Sequence, residues 1–306
     1  MAISLEAGGI CAAHVVRAPG AKPRVEHVAF YAGDTQSMPA LLETVAKELQ
    51  AAHCQCSTLL GSGEYQLLSV EAPNVPPDEL KTAIRWRLKD LLDFHVDDAT
   101  IDVLDVPVDK NAPVRTHLMY AVAARNQLIQ QRQTLFADAK IPLTAIDIPE
   151  MAQRNMSALL APEGRGLAML SFDAQGGLLT VTYGGELYLS RRIDVALSQL
   201  TQIAQADGEQ QRVQFERIAL ELQRSFDHFD RQYHFIPVAK LVLAPLPAAA
   251  VELQSYLASN LYAPVETLAL DSMLDVSRIP ELKDPQAQWR CFMTIGAALR
   301  HEETVL

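Results

Sequence analysis

Residues 161–193 read APEGRGLAMLSFDAQGGLLTVTYGGELYLSRRI. The first six, Ala161 to Gly166, have the Gly- and Pro-rich composition of a linker. Three apolar runs follow, Leu167 to Phe172, Leu178 to Tyr183 and Leu187 to Ile193, separated by Gly176-Gly177 and Gly184-Gly185. Paired glycines between such runs mark turns, so the stretch predicts three strands, and a helix is expected from Val195 to Ala206. The start of the chain repeats the plan. Ile3 to Val16 and Val25 to Tyr31 read as a hairpin joined by Arg17-Ala-Pro-Gly20, and Met38 to His53 carries a helical stripe of Leu41, Leu42, Val45, Ala46 and Leu49. Two β-β-α openings without visible identity imply a duplicated, two-lobed α/β molecule.

Composition supports two lobes. The chain has 306 residues, against roughly 150 per domain. With 49% hydrophobic and 21% charged residues, it has ample material for cores. A net charge of −11 argues against nucleic acid as a partner, because phosphate backbones are bound through an excess of Lys and Arg. Four cysteines, Cys11, Cys54, Cys56 and Cys291, are too few for a disulfide framework and suit a reducing, cytoplasmic compartment. The longest apolar stretch, Leu241 to Val251, is broken by Pro245 and Pro247 and falls short of the roughly 20 residues of a membrane span, so no direct membrane insertion is expected.

Working outward, Ser57 to Leu60 and Tyr65 to Val70 read as strands about a hairpin turn at Gly61-Ser-Gly63. Asn74-Val-Pro-Pro-Asp-Glu79 starts a helix from Pro77 to Leu92, with Leu80, Ile84, Leu88 and Leu91 at helical spacing. Alternation then predicts two strands joined around Asp109 to Pro113, and a helix from Asn126 to Asp138 closes a helix-strand-strand-helix insert. A strand at Leu143 to Ile148 and a helix at Glu150 to Leu160 return to the first lobe. The second lobe continues with helices at Val213 to Tyr233, Ala248 to Asn260 and Gln286 to His301, and strands at Lys240 to Leu243 and Val265 to Leu268. The expected division is 1–75 with 140–163 as first-lobe core, 76–139 as insert and 164–306 as second lobe.

No catalytic constellation emerges from spacing. His53-Cys54-Gln-Cys56 lacks the four ligands of a closed zinc site, and the acids from Asp93 to Asp109 lack the Gly and terminal Glu of a calcium loop. No metal is expected. The turns at Ala7-Gly8-Gly9 and Asp173 to Gly177 occupy corresponding places in the two lobes. Facing hairpins of this kind can cradle phosphates through backbone N–H groups, and they equally serve as ordinary turns.

Several strings carry a resemblance: Pro76, Asp78, Glu79, Leu80, Ile84, Arg85 and Trp86 followed by Leu91 and Phe94; Leu220 to Phe229 leading into Ile236-Pro-Val and Lys240-Leu-Val-Leu; and Ile295-Gly-Ala-Ala-Leu-Arg300. In order and spacing the whole chain resembles the PilM family of type IV pilus assembly proteins, relatives of FtsA with the actin-like fold, and within it the MshI branch. The resemblance implies a two-lobed actin-like α/β fold with an inserted subdomain. It also implies a nucleotide cleft at Gly8, Gly9, Ser171, Asp173, Gly176, Glu221 and Arg224.

Departures from the family decide the functional expectation. The first turn keeps its glycines but offers only Glu6 as an acid. Ser171 stands where the family has Asp, and Ala244-Pro-Leu-Pro247 replaces a Gly-Gly pair at the adenosine, where side chains and prolines would crowd the ligand. A non-enzymatic pseudo-ATPase without cofactor is therefore expected, and a nucleotide-switched ATPase using Mg-ATP is the alternative. The implied partners are the N-terminal cytoplasmic tail of a PilN-like inner-membrane protein and other pilus assembly platform proteins, which would hold a cytoplasmic protein at the inner membrane. In the family the tail lies between the first-lobe core and its insert; here Arg85, Trp86, Lys89 and Phe94, on and just after the helix from Pro77, are the expected contacts.

Overall fold

The computed structural model describes residues 1–6, 8–76, 78–108, 117–203, 208–247 and 250–301. Ala7, Pro77, the turn expected at Asp109 to Pro113 with the start of the strand after it, the end of the helix expected at 195–206 and Ala248 lie outside them. Strands β1 (Ala2–Glu6), β2 (Gly9–Val16) and β3 (Arg24–Ala32) form an antiparallel meander, so the first apolar run is two strands and the expected hairpin is three-stranded. β4 (Cys56–Leu59) and β8 (Leu143–Asp147) add in parallel to complete the order β3-β2-β1-β4-β8. In the second lobe β9 (Gly166–Phe172), β10 (Gly177–Tyr183) and β11 (Glu186–Ile193) make the same meander, and β12 (Val238–Leu243) and β13 (Val265–Thr267) the same parallel extension, in the order β11-β10-β9-β12-β13. One strand order used twice is the actin-like arrangement.

Both faces of each sheet are covered, which is why the strands read as continuous apolar runs. Ile10 and Ala12 of β2 join Ile3, Leu42, Val45 and Phe136 in one core, where α1 (Met38–Glu48) and α3 (Asn126–Asp138) pack. Their neighbours Cys11 and Ala13 face Cys291, Phe292 and Ile295 of α9 (Pro285–Ala298). In the second lobe Ala168, Leu170 and Phe172 meet Phe215, Ile218, Leu222 and Phe229 of α6 (Gly208–Gln232), while Leu167 and Met169 look toward α9 and Met156. α5 (Leu197–Ile203), α7 (Glu252–Asn260) and the short α8 (Leu270–Met273) complete the lobe.

The chain exchanges helices between lobes. α4 (Pro149–Ala158) follows the last strand of the first lobe yet packs on β9, β10 and β11, and α9 follows the last strand of the second lobe yet packs on β1 to β4. α9, expected within the second lobe at 164–306, thus covers the first-lobe sheet while keeping contacts with Leu167 and Met169 of β9. The two helices also lie against each other, Asn155 Nδ2 donating to the Gly296 carbonyl at 3.0 Å. α9 begins firmly because Asp284 caps Gln286 N at 3.2 Å and Pro285 fits the first helical position.

The insert differs from expectation at its start. β5 (Tyr65–Glu71) pairs with β7 (Leu118–Arg125), and β7 with β6 (Ala99–Asp105), in a separate sheet ordered β5-β7-β6. Gly61 to Gly63 therefore joins two sheets and is no hairpin turn, and the insert's sheet starts at Tyr65, ahead of the expected boundary at 76. The expected helix-strand-strand-helix order is present, with β5 supplied from upstream. The closing helix α3 packs partly elsewhere, since Phe136 is buried in the first-lobe core.

Candidate functional site

The first glycine turn is set by strand crowding. Gly9 has φ +143°, and a Cβ there would stand 2.0 Å from the Tyr31 carbonyl oxygen. Only glycine fits that approach of β2 to β3. Gly8 is exposed and its carbonyl accepts from Gly33 N at 3.0 Å. Glu6, ending β1, is pushed up to about 7 by burial, which the nearby Arg290 only partly opposes. Arg290 also stacks on Phe30 at 4.3 Å.

At the second turn Asp173 satisfies its own hairpin. Its Oδ1 accepts from Gln175 N at 2.8 Å and Gly176 N at 2.9 Å, and its Oδ2 from Ser62 Oγ at 2.8 Å and Arg192 Nη1 at 3.0 Å. Burial opposes ionisation here, but the Ser62 hydroxyl, the Arg192 guanidinium and the backbone donor outweigh it and hold the carboxyl below its ordinary value. Its share of stability is therefore present above the ordinary carboxylate range and is lost only as pH falls through the lowered value. Gly176 is required by space, because a Cβ would lie 2.6 Å from the Ile193 carbonyl oxygen. We expect Gly176→Ala to lower stability by about 1–3 kcal/mol, as overpacking against backbone does, read from a denaturant midpoint.

The remaining expected cleft residues have partners within the fold. Ser171 is buried and donates to Gln153 Oε1 at 2.6 Å, while Gln153 Nε2 donates to the Met169 carbonyl at 2.7 Å and Thr180 Oγ1 at 2.8 Å. A first-lobe glutamine thus plugs into the second-lobe sheet. Glu221 and Arg224 pair with each other at 2.9 Å across one turn of α6. After β12, Ala244 is buried and donates its N–H to the Leu170 carbonyl at 2.9 Å, continuing the pairing of β12 with β9. Trp289 Nε1 donates to the Phe172 carbonyl at 2.9 Å, so consecutive residues of α9 touch the strand end beside Asp173 and the Phe30 ring beside Gly8. Ser62, Gln153, Arg192 and Trp289 were not anticipated. In the sequence Gly61-Ser-Gly63 reads as a turn, and a lone Gln, Arg or Trp carries no motif.

The insert has two unlike faces. Its outer face buries Ile84 and Leu88 of α2 (Leu80–Leu88) against Val70, Met119 and Ala121. Its inner face, with Leu67, Leu104 and Val122, meets Ile146, Ile148 and Met151 of the first lobe. A cavity of about 170 Å³ opens between inner face and core, with Asp102, Leu104 and Val122 on one wall, Ile146, Asp147, Met151 and Arg154 on the other, and Arg300 at its end. Arg300 Nη1 donates to the buried Asp147 at 2.7 Å.

α2 is therefore not a wall of the groove between core and insert, contrary to expectation, because the sheet stands between them. Arg85 pairs with Asp97 at 3.5 Å, and Phe94 lies under the Arg125 guanidinium at 4.3 Å. Trp86, 72% exposed, and Lys89 remain open on the outer face. A second cavity, about 630 Å³, separates β5 of the insert from β11 of the second lobe. Among the described residues no cluster of three or more metal-ligating side chains occurs, and no helix is long and apolar enough to cross a membrane.

These features define a two-lobed actin-like protein with a grooved insert. Among solved structures, the chain is similar to the PilM–PilN type IV pilus biogenesis complex, with 18% identity, 97% of each chain covered and a TM-score of 0.73. It overlaps less with the cytoplasmic domain of EpsL, an inner-membrane component of the type II secretion system of Vibrio cholerae, at 14% identity, 86% of this chain, 95% of that one and a TM-score of 0.48. A Bacteroides thetaiotaomicron protein of unknown function with an actin-like ATPase fold gives 10% identity, 95% of each chain and a TM-score of 0.49. No family model matches the chain. No curated protein matches it either.

Proposed function

We propose that this protein is a cytoplasmic scaffold of a type IV pilus assembly platform of the MshI kind, holding the N-terminal tail of a PilN-like inner-membrane protein in the groove between first-lobe core and insert. The observation that carries the reading is the whole-length likeness to the PilM–PilN complex, 97% of each chain at a TM-score of 0.73. The groove chemistry agrees with it. Leu104, Val122, Ile146 and Met151 offer an apolar lining, and β6 is an edge strand that could pair with an extended segment. Binding of such a tail, together with other platform proteins, would place the scaffold at the inner membrane.

The reading includes a degenerate nucleotide site and no ATPase activity. A phosphate at the second turn needs the N–H groups of Gln175 and Gly176, and Asp173 holds both. The same carboxylate is tied to Arg192, so it is not placed to hold Mg²⁺ or orient water. The packed Ala244 and the paired Glu221 and Arg224 leave the nucleoside side equally unsuited, and the residues present do not fit Mg-ATP.

Titrating a synthetic PilN-type tail while following fluorescence anisotropy tests the groove. Met151→Glu, with Leu104→Gln as a milder variant, is expected to weaken binding at least tenfold, and Lys89→Glu on the outer face to change it less than twofold. A loss with Lys89→Glu alone would return the tail to α2. Calorimetry with MgATP and MgADP is expected to show no micromolar binding, and a micromolar constant would restore the nucleotide-switched alternative.

A further inference from the structure

Among the described residues insert and second lobe share no β-ladder; Val106 and Tyr120 pack with Tyr188 and Leu189, and polar side chains close the end of the interface. β5 and β11 are both edge strands, and the 630 Å³ cavity keeps them from forming a ladder. Tyr120 of β7 stands in for a strand, its hydroxyl donating to the Tyr188 carbonyl and accepting from Ser190 N, both at 3.2 Å. At the cavity's end Arg192 Nη2 donates to Tyr65 Oη at 3.3 Å, Tyr65 donates to Glu150 Oε2 at 2.6 Å, and Asp173 receives Ser62 and Arg192. Five pieces of chain converge on this junction: the β4–β5 linker, β5, the first turn of α4, the β9–β10 turn and β11.

Further along α4 the lobes are joined by close helix packing, with Ala152 and Gly296 in contact where α4 crosses α9. A packed helix crossing together with a partly exposed polar cluster between the lobes is the arrangement of a hinge and its catch. Packing resists sliding, whereas hydrogen bonds near water exchange for water bonds at little net cost.

We propose that Ser62, Asp173, Arg192 and Tyr65 form a latch that holds the insert and first lobe closed on the second lobe, with the α4–α9 crossing as pivot. Asp173 is its centre: one oxygen is anchored in its own turn, which fixes the carboxylate, and the other receives the hydroxyl from across the cleft. Because Leu104 and Val122 lie on the same inner face as Tyr65 and Leu67, opening the latch also moves the roof of the groove. The inference does not depend on what fills that groove.

Spin labels on the exposed positions Trp86→Cys of the insert and Tyr262→Cys of the second lobe, with Cys54→Ser, report the separation by double electron–electron resonance in the full chain. The otherwise unchanged protein should give one narrow distance distribution, and Ser62→Ala with Asp173→Asn should add a second, longer population. A melting curve checks that the double variant is folded; if it is not, Ser62→Ala alone, which removes only the cross-cleft hydroxyl, is measured and should broaden the distribution. A narrow, unshifted distribution in the folded variant would overturn the latch.

Discussion

Gly296→Ala is expected to lower the unfolding free energy by about 2 kcal/mol, although alanine favours helix over glycine by about 1 kcal/mol. Gly296 lies inside α9, where propensity alone predicts a gain. The added Cβ would stand 2.5 Å from the carbonyl oxygen and 2.9 Å from the carbonyl carbon of Ala152, and 3.1 Å from Met156 Cγ. The first two are backbone atoms, so no rotamer change relieves them and the helices must move apart. That shift would strain the 3.0 Å bond from Asn155 to the Gly296 carbonyl and loosen contacts of Phe292 and Ile295 in the interlobe core. Denaturant titration gives the loss. The double variant Gly296→Ala/Ala152→Gly distinguishes causes: since the clash is with the backbone of residue 152, removing the Ala152 methyl should recover little, and full recovery would show that side-chain volume was responsible.

That contact illustrates which parts of the fold the sequence carried. Strand runs such as Leu167 to Phe172 and the helix around Phe215 to Tyr233 were legible, because both faces of a covered strand are apolar and an amphipathic helix repeats every three or four residues. Duplication was legible because the two lobes place glycine turns and apolar runs alike. Partner choice between elements was not. β4 and β5 flank a Gly-rich turn and look like a hairpin, yet they belong to different sheets, since register is decided by neighbours far along the chain. Likewise the apolar stripe of α9 records that it is buried without recording under which sheet.

The site was legible in one respect and misleading in another. The serine at 171 and the prolines at 245 and 247 are visible in the sequence, and in the fold Ser171 and Ala244 are buried and hydrogen-bonded. Basic and aromatic residues on α2 looked like a peptide contact because a helical stripe shows only that two faces differ. Which face turns to the groove depends on the sheet beneath, and here Ile84 and Leu88 cover its far side. Ser62 and Arg192 had no signal at all: each becomes significant only when the fold brings it to Asp173.

Glu6→Gln should stabilise the protein at pH 8, by up to about 3 kcal/mol, and leave it unchanged near pH 4. The carboxyl at the end of β1 titrates at about 7 in the folded chain, against 4.5 for an unburdened glutamate, because burial disfavours its charge more than Arg290 favours it. A raised acid gives the sign directly. Between pH 4.5 and 7 the folded state binds more protons at Glu6 than the unfolded state, so its contribution to stability falls as pH rises and the full cost is reached above 7. Glutamine keeps the shape and removes the charge, so the difference between variant and parent should be near zero in acid, grow through that window and level off beyond it. Arg290, held over Phe30 at 4.3 Å, keeps its ring contact in the variant and has no reason to move. Denaturant midpoints at four pH values would trace the curve. A gain equal at pH 4 and pH 8 would show that Glu6 acts through packing, and a loss at pH 8 would show that its attraction to Arg290 outweighs burial.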